Sequence, residues 1–180
     1  MKSKEQVGAI IAALKTLYPD ALCSLDYEKD YELLFSVRLA AQCTDARVNL
    51  VTPALFARYP TLEAFAAADV DEVGTYIHSC GFWRAKAKDI VGSAQMLLRD
   101  FDGRVPDTME ALLKLPGVGR KTANLILGDI YGKEGYVCDT HCIRITGRLG
   151  IHRIGVSAPC TVPDRGVPSG GRSCWILPVE

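Results

Sequence analysis

A short basic segment rich in glycine, Leu115–Ala123 (L-P-G-V-G-R-K-T-A), has the residue types and spacing of a phosphate-binding turn. Gly117 and Gly119 can adopt positive φ without a Cβ clash, so the chain can reverse direction within a few residues. Apolar residues at helical spacing on both sides predict two helices, the second beginning near Arg120 with Lys121 in its first turn. Because the unpaired N–H groups of a helix N-terminus attract anions, the segment predicts a contact with phosphate.

Two interpretations of this segment compete, and a third is excluded. It could be an ordinary turn between two core helices, with Arg120 and Lys121 in solvent. It could be a helix-hairpin-helix that grips a nucleic-acid backbone without reading bases. A nucleoside-triphosphate P-loop is excluded, because that motif needs a longer separation of its glycines and a glycine directly before its lysine. Here only Val118 separates the glycines, and Arg120 precedes Lys121.

Length, composition and charge are those of an ordinary globular protein. The 180 residues allow one or two small domains, and 48% hydrophobic with 23% charged residues is typical of soluble proteins. The formal net charge is zero, so any basic DNA-binding surface must be local. No apolar run approaches a membrane span and the N-terminus lacks a signal-peptide core, which predicts a cytoplasmic protein without a membrane partner.

The cysteines predict neither a disulfide framework nor a metal site. They are seven, an odd number, and several lie in apolar stretches where a reduced cysteine acts as a small hydrophobe. Cys138, His141 and Cys142 form a compact group, but no fourth ligand follows at a familiar spacing. A structural role is therefore favoured, and no metal ligand is predicted.

Helical periodicity without strand alternation predicts an all-α protein. Asp107-x-x-Glu110 has the form of a capping box for the helix that enters the glycine-rich turn. Asp139 precedes a further helix, and aspartate is among the best N-caps, a role that needs nothing more of this residue.

The pattern changes near residue 150. Residues 151–180 hold four prolines, four glycines and three serines, whereas the first 150 residues hold five prolines. No helical period survives, so we expect an irregular tail. We hypothesise that the chain is truncated or frameshifted after about residue 150, and an intact reading frame on resequencing would refute this.

Four ordered segments resemble the endonuclease III family of DNA glycosylases. They are A-A-Q-C-T-D-x-x-V-N around 41–49, G-F-W-R-A-K-A-x-x-I at 81–90, V-P-D-T-M-E-A-L-L-K-L-P-G-V-G-R-K-T-A-N at 105–124 and V-C-D-T-H-C-x-R at 137–144. The resemblance implies the all-α helix-hairpin-helix DNA glycosylase fold. We expect a six-helix domain at 22–132, a remnant of a second helical domain from 1–21 with 133–150, and the irregular tail at 151–180.

The resemblance implies a bifunctional enzyme of base excision repair, which excises an oxidised pyrimidine and cuts the strand at the abasic site by β-elimination. Lys121 falls on the family's nucleophilic lysine and Asp139 on its catalytic aspartate. Only a neutral amine can attack the sugar C1′ and form a Schiff base, and a helix N-terminus and partial burial both disfavour the ammonium form. Adenine glycosylases that resemble this chain lack a lysine at position 121 and differ around 42–45, which favours oxidised pyrimidines.

The resemblance also predicts the residues that contact DNA, and it implies that a monomer binds double-stranded DNA with damaged pyrimidines or abasic sites. Gln42 matches a residue that fills the gap left by the extruded base. Phe82 stands where the family places a wedge, although it could be a plain core aromatic. The predicted hairpin contacts with the phosphate backbone are Gly117, Val118, Gly119 and the auxiliary Arg120.

The chain departs from the family at its end. The family's C-x6-C-x2-C-x5-C motif, which binds a [4Fe–4S] cluster, is absent, and only Cys160 and Cys174 lie in the tail. We therefore predict no cluster and no other cofactor. Two alternatives to the enzyme stay open: a DNA-binding module without turnover, and a non-functional truncated product.

Overall fold

The computed structural model describes residues 2–19, 23–133, 137 and 139–151, and all the regular secondary structure in them is helical. The all-α prediction is confirmed. A single 3-10 turn, His78–Cys80, precedes the sixth helix. The α-helices are α1 (Lys4–Leu17), α2 (Asp30–Ala40), α3 (Asp45–Arg58), α4 (Leu62–Ala66), α5 (Val70–Ile77), α6 (Trp83–Asp100), α7 (Met109–Leu112), α8 (Arg120–Asp129) and α9 (Thr140–Arg148).

The hydrophobic core forms around α6, which packs against α4, α5 and α2. Helix α2 also contacts α3 and α8, so it links the centre of the core to the helix that follows the glycine-rich turn. Phe65 is fully buried, with its ring centroid 5.0 Å from that of Phe35 and 5.2 Å from that of Tyr59. Burial of these aromatic rings contributes to the hydrophobic stabilisation of the core.

Most helix starts follow their sequence signals, but the predicted capping box at Asp107 is wrong. Thr108 is the N-cap of α7, and its hydroxyl accepts a hydrogen bond from the Ala111 N–H at 3.3 Å. The Asp107 carboxylate instead pairs with Lys133 Nζ at 2.8 Å. Lys133, which is distant in the sequence, therefore binds the Asp107 carboxylate, and the Thr108 hydroxyl caps α7 in its place.

The first and last described helices are only weakly buried. Helix α1 contains no buried residue, and Gly147 is the sole buried residue of α9. The Lys2 N–H donates to the Gly150 carbonyl at 3.0 Å, so the two ends of the described chain meet. The proposed domain boundaries stay a prediction, and the predicted tail lies outside the described residues except for Ile151. No helix in the described part of the chain is long and apolar enough to cross a membrane.

Candidate active site

The glycine-rich turn joins α7 to α8 as a tight hairpin. Gly117 has φ +70°, the left-handed conformation that favours glycine, whereas Gly119 has φ −101° and is the N-cap of α8. The expected use of positive φ therefore holds at Gly117 and not at Gly119. Within the described residues no side chain caps α8, so its first N–H groups can meet a phosphate.

The hairpin rests on side chains of α2 and α6. The Ser93 hydroxyl donates to the Pro116 carbonyl at 3.1 Å. Beside it, Arg38 Nη2 and Asp89 Oδ2 form an ion pair at 2.7 Å, and Arg38 Nε donates to the same oxygen at 2.8 Å. A Cβ at Gly117 would lie 2.5 Å from Asp89 Oδ2 and against the Arg38 guanidinium. The Arg38–Asp89 pair thus occupies the space that a side chain at 117 would need.

We predict that Gly117→Ala destabilises the protein, whereas Gly119→Ala is nearly neutral. The left-handed backbone alone costs an alanine about 1–2 kcal/mol, and the clash with the ion pair adds to this. At Gly119 a Cβ would meet nothing within 4 Å. There a weaker N-cap and a less flexible unfolded chain offset each other. Thermal unfolding should show Tm lower by roughly 3–8 °C for Gly117→Ala, and equal Tm values for the two variants would contradict the prediction.

Lys121 is the second residue of α8 and its side chain is exposed. The expected partial burial is therefore wrong, because Arg120 and Lys121 lie on the solvent side of the first turn of α8, whereas Ala123 in the same turn is buried. No hydrogen bond or ion pair within the described residues engages the Lys121 amine. Lys121 nevertheless lies in the first turn of α8, at the positive end of the helix dipole.

Asp139 is the N-cap of α9 and is half-buried. Its Oδ1 accepts a hydrogen bond from the Cys142 N–H at 2.6 Å. In the part of the chain that the structure describes, no hydrogen bond or ion pair joins Asp139 to Lys121. The two side chains lie at the N-termini of α9 and α8, and the capping role expected of Asp139 is observed.

Gln42 and Phe82 share an unusual backbone conformation. Their φ angles are +56° and +47°, and Asp102 is the only other described non-glycine residue with positive φ. Left-handed backbone is strained for both residue types and is often found at functional sites. Phe82 is 72% exposed, so it is not a core aromatic, and Gln42 is exposed as well. Both side chains are available to a ligand.

The residues after Phe82 explain why its ring points outward. The Trp83 ring packs so closely on Gly74 that a Cβ there would lie 2.5 Å from Trp83 Cζ3. The Arg84 guanidinium carbon lies 4.1 Å from the centroid of the Trp83 ring. Because Trp83 is anchored on α5, the left-handed turn at its neighbour directs the phenylalanine into solvent.

Sequence reasoning missed Lys86, a buried cation in the first turns of α6. Its side chain is 1% exposed, and Nζ donates to two backbone carbonyls. In the A-K-A-K stretch it looks like a solvated lysine. Helical spacing was the available signal, because Lys86 lies four residues before the buried Ile90 and thus on the core face of the helix.

The described thiols do not fit a metal cluster. Within the described residues no group of three or more His, Cys, Asp or Glu side chains is placed to hold a metal ion. Burial raises the pKa of Cys23 to about 12 and that of Cys80 to about 11. Both thiols therefore stay protonated near neutral pH and pack as small hydrophobic side chains. Cys138 of the candidate metal group lies outside the described residues, and the absence of a cofactor stays a prediction.

The chain is similar in sequence to known DNA repair proteins. Residues 35–155 match the family model of the HhH-GPD superfamily base excision DNA repair protein. An endonuclease III from Synechocystis sp. is 51% identical over 149 residues, which cover 82% of this chain and 68% of that protein. The matched part of this chain includes the hairpin.

Two solved structures share this architecture. One is a non-covalent endonuclease III–DNA complex, and the other is a trapped endonuclease III–DNA covalent intermediate in an estranged-adenine complex. Each has a TM-score of 0.80 and 40% sequence identity, and each alignment covers 85% of this chain and 72% of the other.

Proposed function

Because the chain belongs to the endonuclease III family, DNA glycosylases of base excision repair within the HhH-GPD superfamily, we propose that it removes oxidised pyrimidines from double-stranded DNA. We propose further that it cleaves the resulting abasic site through Lys121. The observation that carries this proposal is the placement of Lys121. Its amine is exposed, has no hydrogen bond or ion pair among the described residues, and follows directly on a hairpin whose uncapped helix N-terminus can hold a phosphate. A backbone phosphate bound there brings a sugar carbon within reach of the amine.

The first step replaces the bond between sugar and base. The neutral Lys121 amine attacks C1′, the glycosidic bond breaks, and its electron pair leaves with the base. The proton that the amine loses passes through the Asp139 carboxylate to the departing base. The same carboxylate stabilises the positive charge that develops on the sugar. Asp139 thus combines the N-cap of α9 with a catalytic role.

The second step cuts the strand. The C1′–O4′ bond then breaks and O4′ takes a proton from water, which converts the amine adduct into a protonated Schiff base and acidifies the proton on C2′. Water accepts the C2′ proton, the C3′–O bond breaks and the phosphate leaves with its electron pair, and hydrolysis of the Schiff base releases Lys121. The N–H groups of Gly117, Gly119 and Arg120 hold the backbone, whereas the Val118 N–H already donates to the Leu115 carbonyl at 3.2 Å. Gln42 and Phe82 fill the space left by the extruded nucleotide. Their insertion offsets part of the unstacking cost, a few kcal/mol by estimate.

The test of this function uses the full chain and a duplex with a single thymine glycol. Release of the base together with a nick at that position supports the proposal. A matched duplex with an unmodified thymine controls for non-specific cleavage, and a duplex with adenine opposite 8-oxoguanine tests the alternative substrate class. Cleavage of the adenine-containing duplex alone would overturn the substrate assignment.

A second candidate, DNA binding without turnover, is favoured by one observation. Asp139 lies at the start of α9, whose only buried residue is Gly147. A loosely packed α9 would hold the carboxylate less firmly than the hairpin holds Lys121. Binding that weakens with salt fits both candidates, because both neutralise phosphates. Covalent trapping separates them, because only the enzyme forms the adduct.

We predict that the active chain carries no [4Fe–4S] cluster. The cysteine spacing of the family motif is absent from the sequence, and the described residues contain no group of three or more His, Cys, Asp or Glu side chains that could hold a metal ion. Protein purified without oxygen should contain iron far below the four atoms per chain of a [4Fe–4S] cluster. Iron and acid-labile sulfide in stoichiometric amounts would refute the prediction.

A further inference from the structure

Lys86 is a buried cation held by two backbone carbonyls. Its Nζ donates to the Leu39 carbonyl at 2.8 Å and to the Cys80 carbonyl at 2.6 Å. None of the ion pairs among the described residues involves Lys86, and its hydrogen bonds there go to these carbonyls. Burial lowers the pKa of Lys86, which shows that the interior disfavours its charge. A lysine is almost never fully buried unless it is paired, so this arrangement calls for a function.

Both carbonyls lie where a helical segment ends. Leu39 is in the last turn of α2, and Cys80 is the last residue of the 3-10 turn. Carbonyls at such ends lack partners along the helix, and the helix dipole attracts a cation to them. One ammonium group therefore satisfies two helix ends that are 41 residues apart in the sequence, by the numbering of the two residues.

Each helix end leads directly to a residue of the proposed DNA-insertion surface, which we define as Gln42 and Phe82. Gln42 lies three residues after Leu39, and Phe82 lies two residues after Cys80. Both insertion residues are exposed, and both have a left-handed backbone conformation. Their segments are short and are held close to the carbonyls that Lys86 joins, so the ammonium constrains the separation of the two side chains.

We propose that Lys86 is a positioning residue, whose ammonium joins the Gln42 segment to the Phe82 segment so that both side chains enter the duplex at a fixed separation. This role rests on the proposed function, because insertion matters only if a nucleotide is extruded. Lys86 itself touches neither DNA nor the reacting atoms. Its effect should therefore be confined to substrates in which base stacking must be opened.

The test compares Lys86→Met with Lys88→Met in borohydride trapping. Lys88 is an exposed lysine on the same helix, so its variant controls for loss of one positive charge. The probes are a duplex with one abasic site and the same abasic oligonucleotide as a single strand. We expect Lys86→Met to trap the duplex about 10–100-fold more slowly, the scale on which a small misplacement slows a reaction. Its rate on the single strand should stay within roughly twofold, since no stack has to be opened there.

Several outcomes would overturn the proposal. Equal losses on duplex and single strand would show that Lys86→Met only damages the fold. If Lys86→Met trapped the abasic duplex at the wild-type rate, the Gln42 and Phe82 segments would not depend on the Lys86 ammonium for their positions. Combining Lys86→Met with Phe82→Ala provides a second measurement, because both changes should disable the same insertion and their losses should not add. Fully additive losses would contradict the positioning role.

A binding measurement separates this proposal from failure of the proposed function. If the wild-type chain traps neither probe, the lysine chemistry is wrong, and the role of Lys86 is measured by gel shift. The expected result is that Lys86→Met loses the preference for abasic over intact duplex and still binds intact duplex through the hairpin. Retention of that preference would refute the positioning role. Lys86→Arg, which keeps a buried cation and its donors, should restore part of the preference, and it carries the test if the methionine variant does not fold.

Discussion

Lys121→Ala should abolish the covalent adduct that borohydride traps between this chain and a duplex with one abasic site. Lys121 supplies the amine in the first turn of α8, and within the described residues no hydrogen bond or ion pair engages this exposed group. Removing a nucleophile costs on the order of a thousandfold or more in rate. The loss should affect the adduct and not the affinity, because hairpin N–H groups bind the backbone independently of the lysine.

The measurement is gel analysis of the trapped adduct beside a gel shift on the same duplex. Lys114→Ala is the matched control, because Lys114 is also exposed and its variant removes the same charge from the other side of the hairpin. We expect the control to retain the adduct. An adduct of normal yield with Lys121→Ala would show that another amine attacks, and loss of both adduct and binding would show that Lys121 serves chiefly to hold DNA.

Asp139→Asn should slow base release by roughly 100- to 10,000-fold, the range over which positioned acid–base and electrostatic groups act. Asparagine caps a helix about as well as aspartate, so the hydrogen bond from the Cys142 N–H and the stability should survive. The substitution therefore removes the charge and keeps the cap, and single-turnover release of thymine glycol reports the charge alone.

Asp139→Ala completes this comparison, because it removes both charge and cap. Its Tm should fall relative to the asparagine variant, consistent with about 1 kcal/mol for a lost N-cap. If Asp139→Asn released base at the wild-type rate, the carboxylate would be a cap and nothing more. If both variants lost stability equally, the observed cap hydrogen bond would contribute nothing.

Features that depend on neighbours in the sequence were predictable. The helices begin after residues whose side chains accept from the first turn, as at Thr44, Thr61, Asp69 and Asp139. Helical periodicity predicted the all-α class, and the glycine spacing located the hairpin. Each rests on contacts within about four residues, which the local sequence specifies almost alone.

The residues of the candidate site were proposed from the sequence, but the backbone conformation and the packing that hold them were not. Lys121, Asp139, Gln42 and Phe82 came from sequence motifs, and the structure adds the exposure of the lysine and of Phe82. The left-handed backbone at Gln42 and Phe82 was not predicted, because neither residue type favours positive φ and only the surrounding packing imposes it.

Local sequence patterns specify the helices and the hairpin of this protein, and they point to the residues proposed to carry the chemistry. Tertiary structure alone decided which side chains hold them in place. Arg38 meets Asp89 under Gly117, Asp107 pairs with Lys133 and not with its own helix, and Lys86 reaches Leu39. Each of these pairs joins residues more than twenty positions apart. A charged side chain has many possible partners along the chain, and only the packing of the helices selects the one within hydrogen-bonding distance.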